Sequence, residues 1–125
     1  MRQAGKAISG RLLKDGILVQ DGKGFAGGEA MEEKLTFEGR EYIGLSFPLG
    51  NVPLLIVKAK RGYVACGYIS KEAAEKYGDI AAFVTGVKNF DEFFKAKIKY
   101  FTSWADDLGI REGMSVKKAL ELMDE

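Results

Sequence analysis

Chemistry is most concentrated around Cys66, the one cysteine of the chain, which stands next to Gly67 and a few residues after Lys58, Lys60 and Arg61. A thiol becomes a nucleophile when a neighbouring cation or helix terminus lowers its pKa, because the thiolate is the reacting species. Gly67 would let backbone approach a ligand beside the sulfur. Against this, Val64, Cys66 and Tyr68 fall on one face of a strand pattern, and a free cysteine among apolar neighbours is usually a small core residue. The chain contains no histidine. That removes the commonest general base near neutral pH, the usual partner of a catalytic thiol and the commonest transition-metal ligand. Cys66 is therefore the catalytic candidate, the balance leans against an enzyme, and neither a metal nor a cofactor is called for.

A second constellation is the basic turn. Lys58, Lys60 and Arg61, flanked by Tyr63 and Tyr68, could contact phosphates and stack bases, the chemistry of an RNA-binding module. Three charges are few, and charge at a hairpin end also guards a sheet against unwanted pairing. Asp79, after Gly78 and before an apolar run, sits at a strand entrance, where a turn residue and an acid are both consistent with its position. Lys58, Arg61, Tyr63, Gly67 and Asp79 are the candidate ligand-binding residues. Asp106 with Asp107 and Asp124 with Glu125 fall in exposed or terminal stretches, whereas paired carboxylates in catalysis need distinct, shaped environments. Gly22 to Gly27 reads GKGFAG, a literal dinucleotide-binding fingerprint, but the strand before it is four residues and no helix pattern follows, so a flexible loop fits better.

The elements that must position these residues start from the run LLIVKAKRGYVACGYI, Leu54 to Ile69. It reads as two strands, Leu54–Val57 and Tyr63–Ile69, folded through Lys60, Arg61 and Gly62, with Gly62 expected to supply a positive φ. The continuous apolar run of the first strand predicts cover on both faces. Before it, Leu35 and Phe37, then Ile43, Leu45 and Phe47, alternate with polar residues around a turn at Gly39, a half-buried meander. After it, Ser70 caps the helix KEAAEKY, which Gly78 ends, and Ile80–Val84 is a buried strand. Asn89 and Glu92 form a capping box opening NFDEFFKA. Residues 90–108 fit either one amphipathic helix or a helix–strand–helix break near Lys97. Ser115 caps a last helix whose Val116, Ala119, Leu120 and Met123 form one apolar stripe. The fold class is α+β: an antiparallel or mixed sheet built from an N-terminal β-meander, with three or four short helices packed against it.

At 125 residues the chain fits one domain with a single core, and its composition, 46% hydrophobic and 30% charged, is that of a globular protein. Residues 1–30 are glycine-rich and aperiodic apart from Ile17, Leu18 and Val19; they read as an extension, flexible or an edge strand at Ile17–Gln20, ahead of a domain over 31–125. A net charge of +1 gives no field toward polyanions, so nucleic acid is disfavoured. No apolar run approaches the roughly 20 residues that span a bilayer, and no early segment resembles a secretory signal, so no membrane association and a cytoplasmic location are expected.

Taken together, LLIVKAKRGYVACGYI, KYGDIAAFVTGVKNFDEF and DLGIREGMSVKKALELM resemble the YunC-like family, a domain of unknown function, over about Leu54 to Met123. The most specific elements are GY-x-x-CGY, Gly62 to Tyr68, and GI-x-x-GMS, Gly109 to Ser115. The resemblance implies a small α+β fold whose N-terminal strands associate, with Lys34–Phe47 as the contact surface, into a homo-oligomer, a tetramer; it brings no established activity. It also favours the break near Lys97. Thr85 stands where the family pattern favours a basic residue, which argues against an anion site beside that strand. The resulting expectation is a cytoplasmic homo-oligomeric binding or structural domain with a possible small-molecule ligand. Thiol chemistry at Cys66 and RNA binding by the basic hairpin are the alternatives.

Overall fold

Alternation and turn chemistry account for most of the strands, and they lie in the sheet in chain order. The computed structural model describes residues 11–12, 17–24, 31–37 and 39–124. Among these, β1 (Arg11–Leu12), β2 (Leu18–Gly24), β3 (Met31–Phe37), β4 (Arg40–Pro48), β5 (Pro53–Lys58), β6 (Tyr63–Cys66), β7 (Ala81–Val84) and β8 (Tyr100–Phe101) form one sheet, each strand paired with the next. Every pair is antiparallel except β6–β7. A parallel pair needs a crossover, and α1 (Lys71–Tyr77) supplies it. The other described helices are α2 (Phe90–Lys95), α3 (Ser103–Asp106) and α4 (Val116–Asp124).

The helix boundaries follow the predicted caps. Ser70 Oγ accepts from Ala73 N at 3.0 Å, and Gly78 ends α1 at φ 81°. Asn89 Oδ1 accepts from Glu92 N at 2.8 Å, while Glu92 reaches back to Lys88 N at 2.9 Å, one residue short of a reciprocal box. Ser115 Oγ accepts from Lys118 N at 3.1 Å, which opens α4. The break near Lys97 is real. Ala96 turns extended, and the outer edge of β7 takes a new partner as Lys99 N donates to Phe83 O at 2.8 Å and Thr102 N to Ala81 O at 3.0 Å.

The sheet has two unequal faces. On one, Leu35, Tyr42, Leu55, Val57, Val64, Cys66, Ala82 and Val84 lie under Phe90, Phe93 and Phe94 of α2 and the Val116–Ala119–Leu120–Met123 stripe of α4. Ile17 joins this core and is fully buried. Gly44 makes the packing possible, because a Cβ there would stand 2.8 Å from Leu35 Cδ1 and 3.0 Å from Phe90 Cζ. On the other face, Ala74 of α1 closes a smaller cluster with Ala65, Ala81 and Phe83, and Phe83 stacks on Tyr100 at 5.0 Å. β7 is thus buried on both sides, as a continuous apolar run requires.

Four local expectations are corrected. Gly62 is not at positive φ; its Cβ would collide with the Ile80 carbonyl and lie 2.8 Å from Ile80 Cγ2, so close approach is what demands glycine there. The return strand ends at Cys66 and not at Ile69, and Tyr68 is an exposed turn residue off that strand face. β5 is buried at Leu55 and Val57 but only half-buried at Leu54 and Ile56, because α1 covers β6 and β7 and leaves the middle of the sheet open. Asp124 is not an exposed tail residue: it is 8% accessible and accepts from Arg40 at 3.0 Å. Within the GKGFAG match, Gly22 to Gly24 belong to β2, and Phe25 to Gly27 lie outside the described residues.

Candidate functional site

The residues singled out from the sequence divide between two clefts at opposite ends of the parallel β6–β7 pair. At the amino ends, a cleft of about 310 Å³ is lined by Lys58, Lys60, Arg61, Tyr63 and Asp79. Tyr63 Oη donates to Asp79 Oδ2 at 2.8 Å. Burial, then this bond, then the Asp79 charge push the Tyr63 phenol up to about 12. Two of the three cations here bond to the fold. Arg61 N donates to Met123 O at 2.9 Å and its guanidinium to Leu122 O at 3.1 Å, satisfying orphan carbonyls at the end of α4. Lys58 Nζ donates to Ala59 O at 3.4 Å.

At the carboxyl ends, a cleft of about 290 Å³ is lined by Val52 and Pro53, by Cys66, Gly67 and Tyr68, and by Thr85, Gly86 and Val87. Cys66 is 5% accessible, and its Sγ accepts from Leu55 N at 3.4 Å. That bond comes from the neighbouring strand and holds the sulfur in the sheet. Tyr68 Oη donates to Val52 O at 3.3 Å, tying the loop after β6 to the tip of the β4–β5 hairpin.

Lys58, Arg61, Tyr63 and Asp79 therefore come together, Cys66 and Gly67 come together elsewhere, and the six do not form one site. Sequence reasoning missed Thr85 and Gly86 as neighbours of Cys66 and Gly67. The signal was present: each pair stands at the carboxyl end of an apolar strand, and a parallel crossover places such strand ends side by side. It also missed Thr102, buried behind the amino-end cleft, whose Oγ1 donates to Asp79 O at 2.8 Å and accepts from Ala105 N at 3.2 Å to cap α3. Glu75 on α1 accepts from both the Ser103 hydroxyl and, at 2.8 Å, the Ser103 amide, and these bonds hold its carboxyl below the usual range.

Among the described residues, no three His, Cys, Asp or Glu side chains cluster as metal ligands would, and no helix is long and apolar enough to cross a membrane. Residues 65–123 match the family model described as a domain of unknown function (DUF1805). The chain is 29% identical over 90 residues to the uncharacterised protein YunC of Bacillus subtilis, covering 69% of this chain and 89% of YunC. Its structure is similar to the crystal structure of TA1206, a protein of unknown function from Thermoplasma acidophilum. The TM-score is 0.71 and the identity 33%, over 75% of this chain and 92% of that one. The matched segment begins at Ala65 and contains the Cys66–Gly67 and Thr85–Gly86 strand ends together with the α4 stripe, and the chain belongs to the YunC-like family of domains of unknown function.

Proposed function

We propose that the protein is a cytoplasmic homo-oligomeric domain, a tetramer, that associates through the open face of its N-terminal strands and serves as a binding or structural module. One observation carries the reading. Opposite the α2–α4 face, Ile43, Leu45 and Phe47 of β4 lie beside Ile56 of β5, with Leu45 paired to Ile56, and Ile43 is 47% accessible. Ile56 also packs against the cluster that α1 closes, whereas Ile43, Leu45 and Phe47 belong to neither described core cluster. Lys34 and Glu41, 3.9 Å apart and exposed, edge it. An apolar centre with a charged margin is the anatomy of a protein–protein contact, and a sheet face of this kind left to water is the unusual case.

Thiol chemistry and RNA binding draw no comparable support. The Cys66 sulfur is buried and bonded to Leu55 N, and the Arg61 guanidinium is spent on the end of α4. Sedimentation velocity tests the proposal. Four copies per particle are expected at micromolar concentration, with Ile43→Asp dissociating the particle while the circular dichroism stays native. Substitution at so exposed a strand position costs a lone chain about 1 kcal/mol. A monomeric wild-type chain, or an Ile43→Asp variant that remains tetrameric, overturns the reading.

A further inference from the structure

The carboxyl-end cleft owes its existence to the way the chain leaves β6 and β7. β6 runs through Gly67 and Tyr68 into α1, which packs on one face with Ala65, Ala81 and Phe83. β7 runs through Thr85 and Gly86 to α2, whose phenylalanines pack on the opposite face. Where connections after parallel strands diverge to opposite faces, a crevice opens at the carboxyl ends, and open α/β sheets hold their ligands in such crevices. Cys66 and Val84, the paired last residues of the two strands, mark this divergence.

The walls specify what fits. Val52, Pro53 and Val87 are apolar, Thr85 and Tyr68 bring hydroxyls, and among the described residues no Asp, Glu, Lys or Arg lines the space. A charged ligand would gain no counter-charge there. Glycine leaves backbone open to the cleft at both strand ends. A Cβ at Gly67 would lie 3.6 Å from Thr85 Cγ2 and 3.8 Å from Tyr100 Oη, ordinary contact distances, and one at Gly86 would meet nothing within 4 Å. The space of about 290 Å³ is at the small end for ligand sites.

We infer that this cleft binds a small uncharged molecule, apolar over most of its surface and carrying one or two hydrogen-bonding groups, with Thr85 and the Gly67 and Gly86 backbone as its polar partners. None of the lining residues falls within the Lys34–Phe47 contact surface, so the proposed site does not rest on self-association.

The test titrates phenol and benzamide into the isotope-labelled full chain and follows the amide NMR spectrum, with benzoate and inorganic phosphate as charged comparators. The uncharged probes are expected to shift the Gly67, Thr85 and Gly86 amides saturably in the millimolar range, as suits ligands of so few atoms. Gly67→Leu, which places a side chain in the space, should weaken binding about tenfold or more, and Thr85→Val, which keeps the volume but removes the hydroxyl, about fivefold. Should Gly67→Leu not fold, Thr85→Val decides alone: the fivefold loss supports the site and an unchanged affinity overturns it. The inference is also overturned if these amides stay still, if benzoate or phosphate binds there as tightly, or if folded Gly67→Leu binds like wild type.

Discussion

Gly62→Ala tests whether close approach, and not a left-handed turn, explains the glycine at the mouth of the amino-end cleft. The new methyl would run into the Ile80 carbonyl oxygen and crowd Ile80 Cγ2 at 2.8 Å. That carbonyl accepts from Tyr63 N at 3.0 Å, the bond that starts the parallel β6–β7 ladder. Either the ladder bond is lost, leaving a carbonyl short of its partner at about 1–3 kcal/mol, or the hairpin shifts at an overpacking cost of about 1–3 kcal/mol. Restricting the unfolded chain returns about 0.4–1 kcal/mol. The net expectation is a loss of about 1–2 kcal/mol, set against a total stability of about 5–15 kcal/mol. Denaturant unfolding followed by the fluorescence of Trp104, the only tryptophan, measures it, at one protein concentration because association adds to stability. Asparagine separates the two explanations, since it tolerates positive φ. Gly39 has φ 75° and open space around a Cβ, so Gly39→Asn should be mild, whereas Gly62→Asn should be at least as damaging as Gly62→Ala. A Gly62→Ala variant within about 0.5 kcal/mol of wild type, or a rescue by asparagine at that position, would refute the reasoning.

Two further outcomes follow from the buried polar pairs. The Tyr63 phenol is raised from 10.0 to about 12, so the folded state favours its neutral form; the contribution is complete below pH 10 and is lost as pH rises through about 12. An ultraviolet titration of the phenolates should therefore show a late step that disappears in Tyr63→Phe, and an unchanged curve in that variant would contradict the assignment. On β4, at the same end of the sheet, Arg40→Ala leaves the Asp124 carboxylate buried without its cation, so the melting temperature should fall and Asp124→Asn on that background should recover part of the loss; if the double variant is less stable than Arg40→Ala, the pair is not what holds α4 against β4.

How legible each feature was depended on the distance over which its cause acts. The caps at Ser70, Asn89 and Ser115 and the turn glycines Gly39 and Gly78 were readable because each is decided within a few residues by one hydrogen bond or one dihedral. The α4 stripe was readable because its period is the helix's own. Gly62 was misread because glycine answers two different demands, and the one that operates comes from Ile80, eighteen positions along. Asp124 was misread because terminal position is a poor guide to burial when a helix lays its last turn against Arg40. Residues 90–108 fit two patterns until the free edge of β7, which offers Phe83 O and Ala81 O, selected the strand at β8.

The candidate site divides along the same line. Composition alone excluded histidine-dependent catalysis, and local pattern placed Cys66 within a strand and beside a glycine, while the end of that strand at Cys66 came from the structure. Periodicity likewise set the α+β class and the alternation of the meander, but not which side of β4 is buried: Tyr42 turns into the core and Ile43 is 47% accessible. Only the tertiary structure separated Cys66 and Gly67 from Lys58, Arg61, Tyr63 and Asp79, since a strand of four residues has two ends and residues adjacent in sequence can face different clefts. It also decided that Thr85 and Gly86 share a crevice with Cys66, and that the Ile43–Phe47 band lies beyond the reach of α1. Both outcomes rest on which face each connection crosses, a choice made by the packing of α1 and α2 on opposite sides of one sheet and by no short stretch of residues.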